Sequence, residues 1–337
     1  MNRFDYVRAG TVAEAVQAIA ADANARFIAG GTNLVDLMKY NVERPGRIVD
    51  ITRLPLDTIE DHDGGLRLGA LATNTATAYD ARVQSRYPLL SSAILAGATG
   101  QLRNAATNGG NINQRTRCYY FYDEGTPCNK RLPGSGCPAI EGVNRIHAIL
   151  GASEHCIATH PSDMAVALAA LDAMIRVAGP DGERTIPFAE YHRLPGDTPE
   201  VDTNLKPGEI VLSIDLPAED FSGRYTYLKL RDRLSYAFAL VSVAAVLDLD
   251  GDTIRTARFA LGGVAHKPWR DAEAEALLQG KPATRESFQA AADHVVRQAK
   301  PQSQNAFKIE LARRAIVRGL TQAAAGTPQS QSDKRIA

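Results

Sequence analysis

The sequence predicts a mixed α/β chain in two parts. Three observations carry this. The 337 residues exceed one small core and give a prior of about two domains. Helical and strand periodicities alternate over roughly residues 1–220. From about residue 221 the order changes to strands followed by helices, an α+β layer.

The elements follow in order. Thr11-Val12-Ala13-Glu14 is a capping box, and Val12, Ala15, Val16 and Ile19 continue at helical spacing. A strand over 26–29 enters Gly30-Gly31-Thr32-Asn33, and a helix over 34–40 leaves it. Strands are expected over 47–51 and 66–71, and a small-residue helix over 89–98. From 100 to about 161 regular periodicity fades, the mark of a long functional or disordered loop. Ser162-Asp163 then caps a helix over 164–173, and strands are expected over 174–178 and 209–216. In the second part, strands at 225–230, 237–249 and 253–262 include an Asp250-Gly251 hairpin signal. Helices at 270–279, 285–299 and 303–320 follow. The Gln/Ser-rich tail, 326–337, is expected to be disordered.

Charge excludes some functions. Thirty-eight basic residues balance thirty-eight acidic ones, so nucleic acid and anionic membranes have no electrostatic footprint here. No stretch approaches about 18 apolar residues, so no transmembrane helix is expected. Met1 to Tyr6 lacks the apolar core of a secretory signal. The chain is expected in the cytoplasm, or in the periplasm by co-export with a signal-bearing partner.

Two glycine pairs carry ligand chemistry. Gly30-Gly31-Thr32-Asn33 lies between a strand and a helix, where glycine lets backbone N–H groups approach an anion. Thr107-Asn108-Gly109-Gly110-Asn111 offers the same chemistry. Two such loops suit a diphosphate, although each alone is equally a tight turn. Neither is the G-x-G-x-x-G of a Rossmann unit or a P-loop.

All four cysteines fall in the irregular stretch, as Cys118, Cys128, Cys137 and Cys156, spaced C-x9-C-x8-C-x18-C. A cubane iron–sulfur cluster needs four thiolates, and Pro138 follows Cys137 as a proline often follows one ligand in ferredoxin-like sites. Zinc sites usually draw on close C-x2-4-C pairs, which are missing, and a reducing compartment disfavours two disulfides. Arg103, Arg115, Arg117, Lys130, Arg131 and Arg145 flank the cysteines and are read either as cations that stabilise an anionic cluster or as a solvated surface. His147, His155 and His160 lie close by, and the aromatic run 119–122 is read as a shield or as ordinary packing. No nucleophile–base constellation and no H-E-x-x-H motif is present.

The ordered set Ala29-Gly30-Gly31-Thr32-Asn33-Leu34, Thr107 to Ile112, Ser162-Asp163-Met164, Glu209 to Ser213 and Lys229 resembles the FAD-binding subunit of the xanthine oxidase family of molybdenum hydroxylases. The resemblance spans about residues 1–325. It implies a two-subdomain, vanillyl-alcohol-oxidase-type FAD-binding domain over 1–220 and a small α+β C-terminal domain over 221–325. Phe27, Ile28, Ala29, Gly30, Gly31, Thr32, Asn33 and Leu34, with Thr107, Asn108, Gly109, Gly110 and Asn111, are then expected to wrap the FAD pyrophosphate and adjoining sugar. Asp163, Val211 and Lys229 match positions that line the rest of the cofactor. Two departures stand out: Asn108 replaces an apolar residue, and Ala96-Gly97-Ala98 holds only small residues where some relatives place an aromatic near the flavin ring.

Relatives of the 4-hydroxybenzoyl-CoA reductase and periplasmic aldehyde oxidoreductase types carry a 4Fe–4S insert between the Gly-Gly-Asn loop and the Ser-Asp helix start. The segment 113–160 resembles such an insert, the aldehyde oxidoreductase type more closely, through Gln114 to Tyr122 and Pro133-Gly134-Ser135-Gly136-Cys137. By resemblance, the four cysteines hold a 4Fe–4S cluster. Electrons from a large molybdenum-cofactor subunit would pass through a small 2Fe–2S subunit to FAD here, and on to an external acceptor. The rival readings are a self-contained flavin oxidoreductase and a zinc-binding, non-enzymatic scaffold.

Overall fold

The computed structural model describes residues 1–219 and 222–331. Three sheets order the chain. Strands β1 (Asp5–Arg8), β2 (Ala25–Ile28) and β3 (Arg47–Asp50) form a parallel sheet in the order β1-β3-β2. Strands β4 (Ile59–His62), β5 (Gly65–Gly69), β6 (Met174–Gly179), β7 (Gly182–Pro187) and β8 (Ile210–Leu216) form an antiparallel sheet in the order β4-β5-β8-β6-β7. Strands β9 (Tyr225–Leu230), β10 (Val241–Asp250), β11 (Thr253–Gly262) and β12 (Trp269–Arg270) form the third, in the order β12-β11-β10-β9.

The helices pack between and around these sheets. In chain order they are α1 (Val12–Ala20), α2 (Leu34–Lys39), α3 (Asn74–Tyr79), α4 (Ala81–Arg86), α5 (Pro88–Ala96), α6 (Gly100–Ala105), α7 (Asn108–Ile112), α8 (Tyr119–Tyr122), α9 (Asp163–Ala170), α10 (Phe188–Tyr191), α11 (Ala272–Ala276), α12 (Arg285–Val296) and α13 (Phe307–Ala325). In α9 every residue from Met164 to Ala170 is buried. Its small apolar side chains let it be apolar all round and sit between α5 and the third sheet. One core joins the second sheet to α5 and α9, and another lies between the third sheet and α11–α13.

The alternating first part and the strands-then-helices second part are both present. The Asp250-Gly251 hairpin forms, with Gly251 at φ +57°. The expected boundary at Phe221 lies outside the described residues. The tail departs from expectation. Gln329 N donates to Thr226 Oγ1 (3.1 Å), and Gln331 Nε2 donates to the Tyr227 carbonyl (3.1 Å). The chain is therefore held against β9 as far as Gln331, because the glutamines meet polar groups of the edge strand of the third sheet. Residues 332–337 lie outside the described residues.

The irregular stretch is clamped by the C-terminal part. Ile149 N and Leu150 N donate to the Val264 carbonyl. Asn305 Nδ2 donates to the carbonyls of His147 and Ala148, both at 3.2 Å. Lys308, fully buried on α13, donates to the carbonyls of Ile146 (3.3 Å), His147 (2.8 Å) and Gly263 (2.6 Å).

Candidate functional site

Two cavities lie side by side. The first has about 280 Å³ of space and forms where β2 turns into α2. All eight residues from Phe27 to Leu34 line it, with Thr107 and Gly110 opposite. Glycine is required at both turn positions. A Cβ on Gly30 would fall 1.7 Å from the Ala105 carbonyl oxygen, and Gly31 sits at φ +70°. The first loop can therefore lie directly on the end of α6, two residues before Thr107.

The two loops differ in what they leave free. Among the described residues, no acceptor engages the backbone N–H of Gly30, Gly31, Thr32 or Asn33. Asn33 Nδ2 is also buried without a partner, while its Oδ1 accepts from Arg115 N (3.0 Å). In the second loop the donors expected to face an anion are spent. Asn108 N donates to the Ala72 carbonyl, Gly109 N to the Ala70 carbonyl, Gly110 N to Thr107 Oγ1 and Asn111 N to the Thr107 carbonyl. Thr107 is the cap of a short helix, α7, rather than part of an open nest. Asn108 is fully buried and satisfied: its amide exchanges bonds with the Thr77 hydroxyl and donates to the Gly69 carbonyl. Asn111 Oδ1 accepts from Ser162 Oγ (2.5 Å), which ties this loop to the start of α9.

Asp163, Val211 and Lys229 do not line this cavity. Asp163 opens α9, where its carboxylate accepts from Lys229 Nζ (2.7 Å) and the Tyr227 hydroxyl (2.6 Å). Lys229 Nζ also donates to the Ala96 carbonyl (3.2 Å), so the pair underpins the Ala96-Gly97-Ala98 turn, where Ala98 has φ +48°. Val211 is buried in β8, in the core of the second sheet.

The second cavity is tight, and all four cysteines line it. Cys118, Cys128 and Cys156 are buried and Cys137 is partly so, and all four are free thiols in this structure. No three of the sulfurs lie within 4.8 Å of one another. The walls between the cysteines include the apolar Phe121, Ala139 and Ala158. Burial pushes the Cys118 thiol up to about 12. At neutral pH it becomes a thiolate only against a bound cation.

Of the flanking cations, Lys130 alone lines the cysteine cavity, and its side chain is 1% exposed. Arg115 lines the glycine-loop cavity instead. Arg117 pairs with Asp36 (3.2 Å), and Arg131 is spent on the carbonyls of Tyr120 and Phe121. Arg145 pairs with Asp232 at the surface, and Arg103 holds the Gly97 carbonyl. His147 Nε2 lies 3.1 Å from Cys118 Sγ. Burial, with the Lys308 charge behind it, lowers that imidazole to about 4 and keeps it neutral. Tyr119 is exposed, while Phe121 is buried against the cysteines. The sequence reading missed Glu43 and Asp202, the acidic partners of Arg115 and Lys130. Each is 72 residues from its partner, and no local pattern marks it.

Comparison with known proteins fits this arrangement. Residues 2–219 match the family model of the FAD binding domain in molybdopterin dehydrogenase, and residues 225–323 match that of the CO dehydrogenase flavoprotein C-terminal domain. The chain is 51% identical over 327 residues to the aldehyde oxidoreductase FAD-binding subunit PaoB of Escherichia coli K12, covering 96% of this chain and 99% of that one. It is 30% identical to the glyceraldehyde dehydrogenase medium chain of Sulfolobus acidocaldarius, covering 89% of each. The carbon monoxide dehydrogenase structure from Hydrogenophaga pseudoflava that lacks the Mo-pyranopterin moiety superposes with a TM-score of 0.76 at 27% identity, covering 96% of this chain and 98% of that chain. The chain belongs to the FAD-binding medium subunits of the xanthine oxidase family of molybdenum hydroxylases, an oxidoreductase family.

Proposed function

We propose that this chain is the FAD- and 4Fe–4S-binding electron-transfer subunit of a molybdenum-dependent aldehyde oxidoreductase. In this reading it sits with a large molybdenum-cofactor subunit and a small 2Fe–2S subunit and delivers electrons to an external acceptor. The observation that carries the cluster is the convergence of four cysteines, spread over 118–156, on one buried cavity beside the glycine loops. The similarity to a subunit named for aldehyde oxidoreductase supports the substrate class.

The residues fit both groups. The unspent N–H groups of Gly30 to Asn33, with the orphaned Asn33 amide, suit the pyrophosphate of FAD. Thr107 and Gly110 face them across the cavity. Asn108, Gly109 and Asn111 hold the second loop in place from behind. Asp163 and Lys229 would act at the ring end, by holding the 96–98 turn through their ion pair, with Val211 in the sheet beneath. Bound FAD would supply a two-electron acceptor able to release electrons singly. Apolar walls and the Lys130 ammonium would hold an anionic cluster at the four thiolates and exclude water from it.

No helix among the described residues is long and apolar enough to cross a membrane. Either cytoplasmic residence or co-export with a signal-bearing partner agrees with that. The test is purification of the natively expressed complex. Expected are flavin bands, broad visible absorption from iron–sulfur, four irons in this chain, and two co-purifying chains with molybdenum. A colourless, zinc-containing protein or a chain that stays alone would overturn the reading.

A further inference from the structure

One carboxylate stands between the two cavities. Asp202 lies in the connection from α10 to β8, and its two oxygens face different cations: Oδ1 is 2.5 Å from Lys130 Nζ and Oδ2 is 2.7 Å from Arg115 Nε. Lys130 lines the cysteine cavity and Arg115 lines the glycine-loop cavity. We propose that Asp202, by holding Lys130 and Arg115 on one carboxylate, couples the two cavities electrostatically and sets the potentials of the cluster and the flavin together. The inference rests on the flavin-plus-cluster reading above.

Arg115 touches both sites. Its backbone N–H donates to Asn33 Oδ1 in the glycine loop (3.0 Å), and its guanidinium stands 4.9 Å from the centre of the Phe121 ring, which walls the cysteine cavity. Nη1 donates to Glu43 Oε1 (2.6 Å), and Nη2 lies 3.4 Å from the Lys130 carbonyl. Lys130 has a narrower set of partners: Asp202 and the Pro199 carbonyl (2.6 Å). Three buried imidazoles that face Asp202, those of His266, His192 and His160, add no charge at neutral pH. Burial lowers His266 to about 3 and His192 to about 4, and takes His160 well below its ordinary range. Two cations therefore face two carboxylates, Asp202 and Glu43, and Arg26 adds a more distant contact to Glu43 (3.5 Å).

The bookkeeping of charge makes the coupling asymmetric. Neutralising Asp202 leaves Lys130 with no carboxylate, while Arg115 keeps Glu43. Reduction adds negative charge at either cofactor, so an uncompensated cation favours it, most strongly where water is excluded. Asp202→Asn should raise both potentials, the cluster's by more. Glu43→Gln should also raise both, with the flavin's rise the larger. Lys130→Met should lower both, the cluster's by more.

The experiment is a redox titration of the purified holocomplex, following the reduced cluster by electron paramagnetic resonance and the flavin by absorbance. Coupled shifts with this ordering support the proposal. If the wild type carries both cofactors and Asp202→Asn moves neither potential, or only one, the coupling is overturned and the cofactor reading stands. A wild type without a cluster signal defeats the reading, and the coupling with it. Should Asp202→Asn fail to fold, the Glu43→Gln and Lys130→Met pair decides by the same ordering.

Discussion

The glycine-loop cavity and the cysteine cavity adjoin at Arg115 and Thr116 but are built differently. The first is lined by backbone and fixed locally: β2, the turn and α2 are continuous in sequence, and Gly30 lies flat on Ala105. The second is lined by side chains on a stretch whose only helix beyond residue 113 is the four-residue α8. Its shape is imposed from afar, by Asn305 and Lys308. A backbone-built site is sensitive to any added side chain at its contact points. A side-chain-built site depends on its ligands and on whatever clamps the chain that carries them.

The largest expected effects are reciprocal losses. We predict that Gly30→Val abolishes flavin retention while iron is kept, because the new Cβ collides with the Ala105 carbonyl. Cys128→Ser should lose the iron and keep the flavin. Flavin and iron content of the two purified variants checks both, and loss of both cofactors together in either variant would break the comparison. Next, Asn305→Ala should destabilise the protein by about 1–2 kcal/mol by leaving the buried Ala148 carbonyl unpaired, while the His147 carbonyl keeps Lys308. Urea denaturation measures this, and iron should leave at lower urea than flavin does.

Acid gives a further test. His192 is buried, its Nε2 lies 2.7 Å from the Ile112 carbonyl, and burial lowers its pKa to about 4. The unfolded chain, with an ordinary histidine near 6.5, binds the extra proton first, so stability falls as pH drops from about 6.5 towards 4. Between pH 6.5 and 5 the loss is about 2 kcal/mol for this group. His266 and His160 act in the same direction. Denaturation at the two pH values should show the slope, and His192→Gln should flatten it; an unchanged slope would remove His192 from the account. The smallest effect on stability belongs to Thr107→Ala, which loses the cap to Gly110 N (3.3 Å) and should cost about 1 kcal/mol. A shift in melting temperature reads it.

What could be read in advance follows the same division. The capping box at Thr11 gives α1 as expected, with Thr11 Oγ1 accepting from Glu14 N (3.2 Å), although Glu14 reaches back to Gly10 N rather than to Thr11. The glycine loop and the cysteine set were legible because glycine and cysteine carry their chemistry in their type and order. The helices α3 and α4 were missed, though Thr73 and Asp80 cap them, because their polar residues break the apolar stripe. Helix α7 was hidden by Gly109 and Gly110, poor helix formers that read as a turn. The pairing of Arg115 and Lys130 with Asp202 had no local signal: the cations carry donors that any nearby acid would satisfy, and only the fold chooses which.

Synthesis gives the Lys308 clamp a timing. The ribosome makes His147 161 residues before Lys308, a delay of roughly 8–30 s at ordinary elongation rates. Once Cys156 is made, soon after His147, the cysteine segment is complete while the helix that pins its carbonyls does not yet exist. On the proposed cluster reading, insertion before C-terminal docking meets an unlocked loop and insertion after it a locked one, so the order of the two events sets how the segment closes.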